Sequence, residues 1–208
     1  MLKNMDIYWI GGSPCSVKSS FAEMIKDEFD FHYYKIDDHL ERFMKEGAEK
    51  NISILKMFYE MNLDQTWLRD VDIQIEDEFE FYNKTFQFIK KEIKHINTKK
   101  PVITEGAALL PTLMDDYDIS DNRYVCITST AEFQLKHFKK RKWISHYLKG
   151  CTAPKKAYDN WMKRDIGFAK RVKNMAKKLD KNYFEMNDEI DKNKMYEKII
   201  SIFGLKGN

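Results

Sequence analysis

A short segment near the N-terminus combines the residue types that proteins use to hold phosphate groups. Gly12-Ser13-Pro14-Cys15-Ser16-Val17-Lys18-Ser19 follows an apolar run and fits the phosphate-loop pattern G-x-x-x-x-G-K-[ST] at every fixed position but one. In such a loop, successive backbone N–H groups and a helix N-terminus face an anion. Lys18 would then reach the outer phosphates of a bound nucleotide, and the Ser19 hydroxyl would be a ligand of Mg²⁺.

The one departure from the pattern is Val17, which stands where a glycine normally precedes the lysine. A β-branched residue fits poorly where the backbone needs a positive φ or must touch a phosphate. Two interpretations therefore stay open. Either the loop still binds a nucleoside triphosphate, or it keeps only the strand–turn–helix geometry and has lost tight binding.

Acidic residues follow two further apolar runs. Asp37 and Asp38 come after the run at 32–36, and Glu105 comes after the run at 102–104. Phosphoryl transfer needs a group that orients or deprotonates the accepting hydroxyl, and carboxylates near the metal. Asp37 is the first choice for that role and Asp38 the second, with helix capping as the alternative for one of the pair. For Glu105, the alternative is a solvated carboxylate at a strand end.

The elements that must position these residues alternate along the chain. Five apolar runs, beginning near residues 6, 32, 102, 123 and 183, have the length of buried strands. Between them, apolar residues recur three and four positions apart and predict helices, most clearly at Phe79, Tyr82, Phe86, Ile89, Ile93 and Ile96. The acidic run 76–78 is the predicted start of that helix. Alternating strands and helices indicate an α/β fold with a parallel sheet, which binds ligands at the carboxyl ends of its strands.

Segments 11–19, 34–38 and 104–107 together resemble the small P-loop kinases of metabolites and nucleosides. This group includes nucleoside, nucleotide, shikimate and gluconate kinases, and bacterial nucleoside kinase-like or AAA-type ATPases. The resemblance covers essentially the whole chain, with the loop as its most specific part. It implies a single P-loop NTPase domain with five parallel strands in the order 2-3-1-4-5, helices on both faces, ATP and Mg²⁺ as cofactors, and a small-molecule phosphate acceptor.

The resemblance also assigns roles to individual residues. The residues expected to bind the nucleotide are Gly12, Ser13, Pro14, Cys15, Ser16, Val17, Lys18, Ser19 and Ser20, with Ser19 as the metal ligand. The residues expected to take part in catalysis are Lys18, Asp37, Glu105, Arg141 and Arg164. Glu105 would act on Mg²⁺ through water or on the substrate. The residues expected to bind the acceptor are Asp37, Asp38, Arg69 and Glu105.

A long helical and aromatic-rich segment separates the second and third strands, at about residues 40–98. In similar kinases this insertion covers the phosphate acceptor. Arg69 follows Trp67-Leu68, and a planar cation beside an aromatic ring suits a phosphate, a carboxylate or a base. The alternative is that Trp67 packs in the core while Arg69 pairs with a nearby acid such as Asp70 or Asp72.

The segment at about 136–181 is strongly basic, with sixteen lysines and arginines against three aspartates and so a net charge of +13. One interpretation is a kinase lid in which Arg141 and Arg164 stabilise the transferred phosphoryl group. The other is a nucleic-acid surface. The net charge of the whole chain is only +3, which disfavours a dedicated nucleic-acid-binding protein.

The remaining composition points to a protein of a reducing cytoplasm. Three cysteines lack the spacing of a zinc site and are an odd number for a disulfide framework. The N-terminal residues lack the apolar core of a signal peptide, and the first apolar run is too short to cross a membrane. We therefore expect a cytoplasmic location and no membrane partner. Formation of a homodimer is left open.

Overall fold

The computed structural model describes residues 6–206, and its elements follow the predicted alternation. The strands are β1 Ile7–Gly12, β2 His32–Lys35, β3 Val102–Glu105, β4 Tyr124–Ser129 and β5 Tyr183–Met186. The helices are α1 Lys18–Phe29, α2 Leu40–Glu49, α3 Ser53–Glu60, α4 Leu63–Trp67, α5 Val71–His95, α6 Pro111–Asp116, α7 Ala131–Lys139, α8 Lys142–Tyr147, α9 Pro154–Lys178 and α10 Lys192–Ile202.

The five strands form one parallel sheet in the order β2-β3-β1-β4-β5. Glu105, the last residue of β3, lies opposite Ile10 on one side and Lys35 on the other. The phosphate loop follows β1, the two aspartates follow β2, and Glu105 ends β3. Because these three parallel strands are neighbours, their carboxyl ends bring all of these residues to one edge of the sheet. The chain has an α/β fold with an all-parallel five-stranded sheet, so the predicted fold class and the strand order that the resemblance to P-loop kinases implies are confirmed.

Alternate strand residues enter two separate cores, because successive side chains of a strand point to opposite faces. On one face, Trp9 and Tyr124 pack with α2, α3, α5, α6 and α9. On the other face, Ile10 and Val125 pack with α1, α7 and α10. Both faces are covered by helices, which explains why β1, β3 and β4 are buried along their whole length.

The long helix of the insertion starts earlier than its sequence pattern predicts. The expected start was the acidic run 76–78, but α5 begins at Val71. The carboxylate of Asp70 accepts hydrogen bonds from the backbone N–H groups of Asp72, at 2.9 Å, and Ile73, at 3.3 Å. Asp70 thus satisfies the free N–H groups of the first turn. The acidic run lies inside the helix, where Glu78 is buried.

A third, smaller apolar cluster joins the insertion to the basic segment. Trp67 of α4 stacks on Trp161 of α9 with ring centroids 4.2 Å apart, and Ile144 and Leu148 pack beside them. Cys15 of the phosphate loop also packs against this cluster. The helix α9 contributes Phe168, Val172 and Ala176 to the main core, so this part of the predicted lid is a core helix. Residues 140–153 of the predicted lid form the connection between α7 and α9.

Within residues 6–206, none of the helices combines the length and the apolar character needed to cross a bilayer.

Candidate active site

Gly12 directs the chain out of the sheet at the start of the phosphate loop. Its φ of +131° favours glycine, and a Cβ atom there would collide with the carbonyl group of Ile127 on β4. The backbone N–H of Ser13 donates to the same Ile127 oxygen at 3.1 Å. The loop is therefore fixed to β4 before it turns into α1.

Val17 has the left-handed conformation that a glycine would adopt at this position. Its φ is 59° and its ψ is 17°, and Cys15 also has a φ of 59°. A left-handed conformation costs an L-residue roughly 1–2 kcal/mol, with the penalty greatest for bulky and β-branched side chains. The valine therefore leaves the loop geometry intact at the cost of local strain.

The side chain of Lys18 folds over the loop and is almost completely buried. Its ammonium group donates to the backbone oxygen of Ser13 at 2.6 Å and lies 3.4 Å from the Ser16 hydroxyl. The Ser16 hydroxyl donates to the same Ser13 oxygen at 2.8 Å. All these partners are neutral, and among residues 6–206 no carboxylate lies within ion-pair distance of the Lys18 ammonium group.

Ser19 and Glu105 meet at the base of the loop. The Ser19 hydroxyl donates to Glu105 Oε1 at 2.9 Å, and the Tyr33 hydroxyl donates to the same oxygen at 2.9 Å. Glu105 is only 1% exposed. Hydroxyl and carboxylate oxygens are ligands that Mg²⁺ prefers, and Mg²⁺ usually binds proteins through one or two carboxylates together with substrate phosphates. Ser19 and Glu105 fit such an ion.

Asp37 and Asp38 lie in a short turn, Ile36–His39, between β2 and α2. Asp37 has an exposed face, yet the protein around its carboxylate displaces enough water to raise its pKa. The charge of Lys18 opposes that rise, and the charge of Glu105 adds to it. Asp38 lies 3.6 Å from Lys35. The turn brings Asp37 within the electrostatic reach of the loop lysine and of the carboxylate at the end of β3.

Arg164 lies in a buried ion cluster, which we define as Glu78, Arg164 and Asp165, between α5 and α9. Arg164 Nε is 3.1 Å from Glu78 Oε2, and Arg164 Nη2 donates to Asp165 Oδ1 at 2.7 Å. The Tyr82 hydroxyl donates to Glu78 at 3.0 Å, and Trp161 Nε1 donates to Asp165 at 3.2 Å. Arg164 therefore pairs with two buried carboxylates at a helix–helix contact.

Burial raises the pKa of Glu78 to about 7, with Arg164 opposing the rise and Asp165 adding to it. Burial also raises the pKa of Asp165. Neither acid was predicted as a site residue from the sequence, and Glu78 was predicted only as part of the acidic run that starts the helix. Their signal is positional: Glu78 stands three residues after Ile75 and four before Tyr82, on the apolar face of α5.

Arg141 differs from Arg164 in both exposure and partners. Its guanidinium group lies 4.5 Å from the ring centroid of Phe138, in an exposed position before α8. Among residues 6–206, no carboxylate lies within ion-pair distance of Arg141, whereas each of the other five arginines has at least one such partner. Burial raises the pKa of the Cys15 thiol, and the charge of Arg141 opposes that rise. Arg141 thus acts electrostatically on the phosphate loop.

The remaining predicted residues are Arg69, Pro14 and Ser20. Arg69 forms an ion pair with Asp77, and its Nε donates to the backbone oxygen of Gln65 at 2.6 Å. The pairing with an acid that the sequence left open is therefore present, although the partner is Asp77. Pro14 lies in the loop, and Ser20 is exposed on the first turn of α1. The catalytic and binding roles of all these residues stay predictions.

Comparison with protein-family models and with curated proteins gives no match. Among solved structures, the chain is similar to the shikimate kinase from Aquifex aeolicus vf5, with 15% sequence identity and a TM-score of 0.40. The alignment covers 95% of this chain and 96% of that enzyme. The fold and the site described above rest on this chain's own strand order and contacts.

Proposed function

We propose that this protein transfers the γ-phosphoryl group of ATP to a hydroxyl or phosphate group of a small metabolite, such as a nucleoside or nucleotide. The hydrogen bond between Ser19 and Glu105 carries this proposal. It joins the hydroxyl of a phosphate loop to a buried strand-end carboxylate far away in the sequence. Such a pair beside a loop lysine suits a magnesium–nucleotide complex.

The residues of the loop would bind the donor nucleotide. Backbone N–H groups of residues 12–20 and the N-terminus of α1 favour bound phosphate oxygens. Lys18 would exchange its neutral partners in the loop for the β- and γ-phosphates. Ser19 and Glu105 would hold Mg²⁺, which neutralises phosphate charge when it is bound.

Asp37 would orient the acceptor and take its proton. Its raised pKa makes it a stronger base than an ordinary aspartate, which suits proton removal near neutral pH. Asp38 and Glu105 lie at the same edge and would contact the acceptor. Arg141 would stabilise the charge that develops on the transferred phosphoryl group, because its guanidinium group has no carboxylate partner among residues 6–206.

The decisive test is an ATP-consumption screen against nucleosides, nucleotides and sugars. We expect at least one acceptor to be phosphorylated, with the product identified by mass spectrometry. Lys18→Ala should reduce the rate by about 10²–10³-fold, the loss typical of a removed charge-stabilising group. Lys26→Ala, on an exposed position of the same helix, is the matched control and should keep full activity. ATP consumption that survives Lys18→Ala would refute the role of the loop.

Nucleotide binding without phosphoryl transfer is a second candidate, favoured by the strained Val17. Calorimetric ATP binding without a phosphorylated product would support it. A nucleic-acid role for the basic segment is weaker, because several of its cations pair with acids. These are Lys136, Arg164, Arg171, Lys173 and Lys181. A gel shift at physiological salt would test it.

A further inference from the structure

The buried carboxylate of Glu105 accepts both of its hydrogen bonds on the same oxygen. The Ser19 hydroxyl and the Tyr33 hydroxyl each donate to Oε1, and both distances are 2.9 Å. A carboxylate oxygen has two lone pairs, so these two donors fill Oε1. Among residues 6–206, no group donates a hydrogen bond to Oε2. Glu105 therefore has only Oε2 to offer to a further partner.

The sheet places Tyr33 where it can be the second donor. Tyr33 of β2 lies opposite Ile103 of β3, and Glu105 follows Ile103 by two residues. Because successive side chains of a strand point to opposite faces, Ile103 and Glu105 share a face. Tyr33 and Ile103 pack in the core beneath α1, the helix that carries Ser19. The packing that holds the Tyr33 ring therefore also directs its hydroxyl to the carboxylate at the end of β3.

The next residue along β2, Tyr34, makes the same kind of bond on the other face of the sheet. Its ring packs in the core formed with α5, and its hydroxyl donates to Glu92 of that helix at 2.8 Å. Arg42 also donates to Glu92 at 2.6 Å. Two neighbouring tyrosines thus each bind one glutamate, but only Tyr33 binds a glutamate that contacts the phosphate loop.

The number of carboxylate oxygens that remain free decides which cation suits Glu105. Mg²⁺ needs a nearly octahedral set of oxygens and usually binds proteins through one or two carboxylates together with phosphates. Ca²⁺ takes about six to eight oxygens in a flexible geometry, and both oxygens of one carboxylate are often among them. A glutamate that presents a single, fixed oxygen meets the needs of Mg²⁺ and denies Ca²⁺ a bidentate ligand.

From these contacts, we propose that Tyr33 is a positioning residue that acts through Glu105 and makes the nucleotide site prefer Mg²⁺ over Ca²⁺. Tyr33 holds Oε1, so Glu105 presents Oε2 alone. The Ser19 hydroxyl donates its hydrogen to Oε1 and keeps its oxygen lone pairs for the cation. This inference rests on the proposed function, because it concerns the cation that accompanies the nucleotide. Tyr33 was not among the residues predicted from the sequence.

The test compares the two cations by calorimetry with an ATP analogue that has an imido group between its β- and γ-phosphates, so that no phosphoryl group is transferred. We expect the unmodified protein to bind the Mg²⁺ complex more tightly than the Ca²⁺ complex. Tyr33→Phe removes only the hydroxyl and should lower this ratio of affinities by about tenfold or more, as is typical when a group that orients a metal ligand is lost. The Kd for the metal-free analogue, measured in EDTA, should stay unchanged, because Lys18 and the backbone N–H groups bind phosphate without Tyr33.

Tyr34→Phe is the matched control, because it removes one hydroxyl bond to one glutamate on the other face of the sheet. It should leave the ratio and the metal-free Kd unchanged. An unchanged ratio in Tyr33→Phe, an equal fall in Tyr34→Phe, or no preference for Mg²⁺ in the unmodified protein would overturn the role of Tyr33 without touching the proposed transfer.

The outcome for the proposed function is read separately, from the ATP-consumption screen. A ratio that falls only in Tyr33→Phe, in a protein that phosphorylates no acceptor, would support the role of Tyr33 and refute phosphoryl transfer. An unmodified protein that binds neither complex would refute both.

Discussion

Two buried charged regions of this protein are built from similar residues but treat their cations differently. At the phosphate loop, the partners of Lys18 are a backbone carbonyl and a hydroxyl, both neutral. Between α5 and α9, Arg164 pairs with the two carboxylates of the buried ion cluster. A cation with neutral partners keeps its charge for an anionic ligand, whereas one held by two carboxylates has its charge neutralised within the protein.

The same difference separates the two arginines predicted to serve a lid. Arg141 is exposed, lacks an ion-pair partner among residues 6–206 and acts on the phosphate loop. Arg164 joins the insertion to α9. Both lie in one basic segment and look equivalent in the sequence. Their surroundings predict that Arg164 governs stability and Arg141 governs activity.

The largest expected effect is on stability in Arg164→Met. Removing one partner of a buried ion pair costs about 3–5 kcal/mol, because Glu78 and Asp165 would be left buried without a counter-charge. Urea unfolding followed by tryptophan fluorescence measures the loss. Arg141→Met is the matched control and should change the free energy of unfolding by less than about 0.5 kcal/mol. Similar stabilities of the two variants would remove the distinction.

The next effect is on catalysis in Arg141→Met. Loss of one group that stabilises transition-state charge lowers kcat by about 10²-fold or more. Arg141→Lys should recover only part of the rate, because an ammonium group lacks the bidentate geometry of a guanidinium. The neighbouring exposed Lys140→Met is the control and should keep the rate of the unmodified protein. If both variants were equally active, Arg141 would have no role in transfer.

The pH dependence of stability separates the two regions again. The pKa of Glu78 is about 7 in the folded protein, against 4.5 for an ordinary glutamate. Between these values the folded state keeps a proton that the unfolded state has released, so the free energy of unfolding falls as the pH rises. Glu78→Gln should flatten this decline between about pH 4.5 and 7 in urea titrations.

Glu80→Gln is the control for that experiment, because Glu80 is exposed on the same helix. It should leave the decline unchanged. A stability that rises through this pH window in the unmodified protein, with no change in Glu78→Gln, would show that Glu78 is ionised throughout the window and that its pKa is not raised.

The sequence predicts the phosphate-loop edge better than the ion cluster, and the reason is physical. The loop, the turn at Asp37 and the end of β3 are each marked by local patterns, and the parallel sheet brings them to one edge. The ion cluster depends on which faces of α5 and α9 meet. The sequence therefore predicts Arg164 as a lid residue within the basic segment 136–181, whereas in the structure Arg164 pairs with Glu78 and Asp165.

Local signals did exist for part of what was missed. Asp165 follows Trp161 by four residues and precedes Phe168 by three, so it occupies an apolar face of α9. A carboxylate at such a position requires a buried partner. Which cation supplies it depends on a contact between helices distant in the sequence, and local periodicity does not specify that contact. The start of α5 was misplaced because the acidic run outweighed the capping residue Asp70.

The smallest expected effect concerns Val17, the one departure from the phosphate-loop pattern. Val17 already has the left-handed conformation of a glycine, so Val17→Gly removes strain without reshaping the loop. The relief of roughly 1–2 kcal/mol is offset by the greater backbone freedom of glycine in the unfolded chain, about 0.5–1 kcal/mol, and by lost side-chain packing. We therefore expect a change below about 1 kcal/mol in stability and, by the corresponding energy, below about fivefold in the Kd for ATP.

Calorimetric ATP titration of the unmodified protein and of Val17→Gly, with Lys18→Ala as the non-binding control, measures the change in the Kd for ATP. A gain in affinity above tenfold would mean that Val17 obstructs the nucleotide and that the unmodified loop is degraded.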